Sequence, residues 1–98
     1  METSKIKTCI GFAIKSRKIK FGVDDIIKLK NAEIILVSDS LGDSALKKIN
    51  GYAIKKDVQV FLLNSADFFE LIQNENIKAA AILDKNLADA IKRNLTSN

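Results

Sequence analysis

Residues 15–28 read K-S-R-K-I-K-F-G-V-D-D-I-I-K, with four cations (Lys15, Arg17, Lys18 and Lys20) ahead of Gly22 and two acids, Asp24 and Asp25, just after it. Cations hold phosphates without regard to sequence, whereas acceptors at the first turn of a helix take hydrogen bonds from base edges. Asp24 and Asp25 have the chemistry to receive guanine N1–H or N2–H, and Lys28 to reach a base acceptor or a phosphate. Gly22 lets a backbone approach closely, and unpaired N–H groups at a helix start favour an anion. Each residue also has a plainer reading. Acids are favoured in the first turn of any helix, Lys28 can pair with Asp24 at i, i+4, and Gly22 can be a simple turn residue. The acids repel phosphate, so base-edge acceptance is their one useful role toward RNA.

Charge along the chain points the same way. The first 30 residues carry eight cations against three acids, and the remainder eight against nine, within a net charge of +4. Such asymmetry suits a polyanion partner, with a solvated lysine face as the alternative. Catalytic chemistry has little to work with. No histidine is present, so imidazole catalysis and the common zinc-ligand sets are excluded, and Ser38, Ser40 and Ser44 lack a base to activate them. Asp39, Asp43 and Asp84 lie near strand ends, where a carboxylate or metal-assisted site would place them, but no glycine-rich phosphate loop accompanies them. They read as caps and turn residues. Neither a metal nor a cofactor is expected, and the chain reads as a non-enzyme. The single cysteine, Cys9, cannot form an internal disulfide and reads as a small core residue.

Elements that would position these residues follow from periodicity. Ile6, Cys9, Ile10, Ala13 and Ile14 recur on one helical face. A short extended piece at 19–21 follows, then a second helix after Gly22 with Val23, Ile26 and Ile27 inward and Asn31 at its end. Residues 33–38 form an apolar, β-branched run. Leu41, Ala45, Ile49, Tyr52 and Ala53 restore helical period, with Asp43 or Ser44 as N-cap. A strand at 58–63 precedes a helix capped by Asn64 or Ser65 and carrying Phe68, Phe69 and Ile72. A strand at 79–83 and a helix with Leu87, Ala90, Ile91 and Leu95 complete the pattern.

The runs at 34–37, 60–63 and 79–83 are apolar throughout, which predicts helices on both faces of the sheet. With 98 residues, 47% of them hydrophobic, the expectation is a single-domain three-layer α/β/α sandwich over residues 1–98 with a four-stranded mixed sheet. No apolar run is long enough to span a bilayer, and residues 1–8 lack the apolar core of a secretory signal. A soluble cytoplasmic monomer with no membrane association is therefore expected.

The order of elements and several strings resemble the RNA-binding seven-Ae/thirty-e ribosomal protein superfamily, and within it the small bacterial YlxQ-like members. I-G-F-A-I-K-S-R-K-I-K-F-G looks like the family's first helix, basic turn and glycine. G-V-D-D-I-I-K lies where the family carries glycine, a small residue (here Val23), two polar readers and a lysine. V-S-D-S-L-G-D-S-A-L-K-K-I is similar to the second strand with its Asp-x-Ser loop, and A-A-A-I-L-D-K-N-L-A-D-A-I to the last strand and C-terminal helix. Kink-turn binders place asparagine then glutamate where Asp24 and Asp25 stand, while YlxQ-like members tend to be acidic there. Arg17 replaces the usual glycine of the basic turn.

This resemblance implies binding to a structured RNA, ribosomal or regulatory, in many members the kink-turn, and association with the ribosome. A kinked junction exposes unpaired edges that a regular duplex hides from side chains. By position, residues 74–78 should lie beside the Gly22 helix start, with Ile77 packing on an extruded base and Asn74 or Asn76 bonding its edge, next to Glu75 and Lys78. An ordinary polar turn is the alternative for this loop. A small α/β assembly module that binds no RNA and uses an exposed Phe68 or Tyr52 is the competing reading of the whole chain, and a carboxylate-based enzyme a third.

Overall fold

The structure, a computed structural model, describes residues 1–96. Its elements run α1 (Thr3–Lys15), β1 (Ile19–Phe21), α2 (Val23–Ile26), β2 (Ile34–Ser38), α3 (Asp43–Lys56), β3 (Gln59–Leu63), α4 (Ser65–Ile72), β4 (Ala79–Ile82) and α5 (Lys85–Leu95). The strands form one mixed sheet in the order β1-β4-β2-β3. β2 and β3 are parallel, as the α3 crossover requires, while β4 runs antiparallel to both β1 and β2.

Alternation along the two central strands builds the layers. Ile34, Leu36, Ala80 and Ile82 face one side, where Ile6 and Ile10 of α1, Phe68 and Leu71 of α4, and Ala88 and Ile91 of α5 cover them. Ile35, Val37, Ala79 and Ala81 face the other, under Ile26, Ile49, Tyr52 and Ala53. The molecule is a three-layer α/β/α sandwich, as the continuous apolar runs predict. Cys9 is partly buried against the first of these cores.

Four expectations are corrected. The helix after Gly22 is a single turn that ends at Ile26, with Lys28 N–H donating to the Asp25 carbonyl at 3.3 Å, so Asn31 ends nothing. α3 is preceded by Gly42 at its N-cap, and Asp43 sits in the first turn instead. β3 is an edge strand whose Leu62 is 62% exposed, so its apolar run does not have both faces covered. Phe68 and Tyr52 are buried and cannot serve as docking anchors; the exposed large apolar side chains include Phe12, Ile54, Leu62 and Phe69.

Candidate nucleic-acid interface

Because β4 runs against β2, one end of the sheet collects the end of β1, the end of β2, the end of β3 and the start of β4. The carboxyl ends of parallel strands are where open α/β sheets place ligands. Gly22 follows β1 there with φ +90° and ψ 140°, a conformation that favours glycine, and its N–H donates to the Ala79 carbonyl at 3.0 Å. That bond sets the first turn of α2 beside the loop leading into β4. A depression of about 290 Å³ lies between them, walled by Phe21, Gly22 and Val23 on one side, residues 76–79 on the other, and Leu41. Nothing stands within 4 Å of where a Gly22 Cβ would be, so the backbone there is open to a ligand.

The loop is shaped locally. Asn74 Oδ1 accepts from the Asn76 N–H at 2.9 Å and its carbonyl from the Ile77 N–H at 3.2 Å, an Asx-type turn. Ile77 and Lys78 form the divide between the first depression and a second of about 260 Å³, to which Asn74, Glu75, Phe69, Ser38, Ser40 and Ser65 contribute. Lys78 Nζ donates to Ser40 Oγ at 3.2 Å, Ser40 Oγ lies 2.7 Å from Ser38 Oγ, and the Ser38 N–H donates to the Lys78 carbonyl at 2.9 Å. These bonds fasten the loop to the end of β2. Leu41, Ser65 and Phe69 are lining residues that the sequence does not single out for the site, and Ser38 and Ser40, weighed there only as nucleophiles, serve here as hydrogen-bonding wall. For Ser38, Ser40, Leu41 and Ser65 the signal is positional, since they end or closely follow β2 and β3 on the carboxyl edge, whereas Phe69 lies inside α4.

Asp24 and Asp25 are exposed in the α2 turn, and the N–H groups of Val23, Asp24 and Asp25 have no intrahelical acceptor. A single turn carries little macrodipole, so these donors act locally. Asp24 lies 3.9 Å from Lys48 of α3, not paired with Lys28, and at 82% side-chain exposure this is a weak contact. Both acids therefore face solvent with their acceptor capacity largely unspent. Lys28 is exposed just beyond the turn.

The basic stretch is divided by β1. Lys20 sits opposite Ala81, on the sheet face that α2 shares. Lys15, Arg17 and Lys18 lie at the other end of the strand, where Lys18 accepts from the Leu83 N–H, and four residues of extended chain put Lys18 roughly 13 Å from Gly22. They form a cationic margin along the sheet edge instead of a collar around the depression. Arg17 is left-handed at φ 59°, closing α1 through the Lys18 N–H to the Ala13 carbonyl (2.7 Å) and the Arg17 N–H to that of Ile14 (3.2 Å). Glycine is the residue this position favours.

Asp84 lies at the opposite end of the sheet from Asp39 and Asp43, and its side chain caps α5 by accepting from the Leu87 N–H at 2.8 Å. The three acids do not gather. No helix among the described residues is long and apolar enough to cross a membrane.

No family model matches the chain, and no curated protein matches it. A solved structure described as that of a protein with unknown function from Bacillus halodurans is similar over 95% of this chain and 98% of its own, with a TM-score of 0.80 and 14% identity. At that identity the likeness speaks for the fold alone.

Proposed function

We propose that this chain is a non-enzymatic binder of structured RNA, kink-turn-like or ribosomal, working in the cytoplasm and associated with the ribosome. One observation carries the reading: Gly22 and Val23 share a depression with Asn76, Ile77 and Lys78, beside two exposed acids and next to a cationic strand edge. Phosphates would run along Lys15, Arg17, Lys18 and Lys20, while Asp24 and Asp25 accept from guanine edges at a kink and the apolar walls of the depression, Val23, Leu41 and Ile77, receive an unstacked base. Lys28 and Lys78 flank the turn and the loop. The quoted strings that resemble the seven-Ae/thirty-e superfamily lend support in their order.

The experiment is a gel-shift comparison of a kink-turn, a plain duplex and a single strand at two ionic strengths. Preference for the bent RNA that persists in added salt supports the proposal. Binding that is equal for all three and vanishes with salt reduces the surface to a nonspecific cationic face.

A further inference from the structure

We infer that the outer edge of β3 pairs with β3 of a second copy of this chain, antiparallel about Phe61, to join two four-stranded sheets into one. The two edges of the sheet differ. β1 is three residues long and flanked or filled by Lys18 and Lys20, the usual protection of an edge. β3 is five residues, Q-V-F-L-L, without charge or proline.

Backbone direction fixes the register. Leu63 turns its carbonyl toward β2, where the Asp39 N–H donates to it at 2.8 Å. Alternation then turns the N–H and C=O groups of Val60 and Leu62 outward, where no other strand of the described residues meets them. In an antiparallel pair about Phe61, Val60 lies opposite the second copy's Leu62 and both outward residues exchange hydrogen bonds. Phe61 meets its own counterpart as a close, non-hydrogen-bonded aromatic pair. Leu62, 62% exposed in the single chain, gains an apolar neighbour.

Charge favours the same arrangement over a parallel one. Lys55 and Lys56, beside Asp57, precede the start of β3, and Asp67 follows its end in the first turn of α4. A two-fold axis through Phe61 brings the cationic end of each copy to the acidic end of the other. The candidate RNA surface, toward β1 and β4, stays open. With little area beyond the strands themselves, association is weak and the single chain is the dilute state.

Sedimentation of the nucleic-acid-free full chain over a wide concentration range tests this. The expected result is a monomer–dimer equilibrium that Leu62→Lys weakens by about tenfold or more, while Phe12→Lys, on α1 toward the opposite edge, leaves it unchanged. Circular dichroism checks that both variants fold. Exchange of the Val60 and Leu62 amides should slow as concentration rises. A monomer throughout, or a dimer that Leu62→Lys leaves intact, overturns the inference.

Discussion

The Gly22 amide donates to the Ala79 carbonyl at 3.0 Å, linking residues far apart in sequence and placing the α2 turn against the loop that leads into β4. Everything proposed for the surface depends on that juxtaposition.

Gly22→Ala tests it directly. With no atom within 4 Å of the added Cβ, the substitution meets no clash, and its penalty comes from φ +90° alone. A loss of about 1–3 kcal/mol in denaturant unfolding is expected. RNA affinity should fall further than the stability change explains, because relaxing φ moves the turn away from residues 76–78.

Removing Lys18 and Lys20 together should weaken binding to every RNA and reduce the slope of log affinity against log salt by roughly one to two units. Lys18 precedes β1 and Lys20 sits at its centre, and if each holds its own phosphate the single variants should each account for about half. An unchanged slope would mean that phosphates do not follow this edge.

Converting Asp24 and Asp25 to alanine should change stability by only about 0.5 kcal/mol, since both are exposed and the Lys48 contact is long. Preference for the cognate RNA over random RNA should erode in competition binding. Equal loss for both would make the acids helix-start residues and nothing more.

Tyr52 ties α3 to the segment after α2 by donating its hydroxyl to the Leu29 carbonyl at 3.0 Å. Tyr52→Phe should cost about 1 kcal/mol. Burial pushes the phenol above its ordinary value of 10.0, so the folded state holds its proton after the unfolded chain has released it. The resulting stability is present below pH 10 and is lost as pH climbs through the folded value. Phenylalanine should abolish that alkaline decline, which thermal melts across the range would record.

Residues whose burial follows from local pattern were legible. Ile34, Ile35, Leu36 and Val37, and Ala79 to Ile82, read as doubly covered strands and occupy the middle of the sheet. Phe61 and Leu62 sit in an equally apolar run, yet their strand is an edge, because position in a sheet is set by long-range pairing that composition does not encode. Val23, Ile26 and Ile27 carry a helical face, but their spacing does not reveal that the turn stops after four residues. Phe68 and Tyr52 show the same limit: an aromatic on a helix faces core or water according to which flank the sheet covers. For the candidate site, the family resemblance puts residues 74–78 beside the Gly22 turn; residues 76–78 border it, whereas Asn74 and Glu75 open onto the second depression. The division of the cations along β1, and the contributions of Leu41 and the serines, required the antiparallel placement of β4.

The strand that arrives late in the chain lies in the middle of the sheet. Among the described residues β1 pairs only with β4, and β2 has β4 on one flank. During synthesis, residues 19–21 wait without a partner until residues 79–82 have emerged, so residues 1–78 cannot close the sheet by themselves. A nascent chain stalled before that point should remain protease-sensitive and bare of its Gly22–loop surface, and maturation would come in one late, cooperative step.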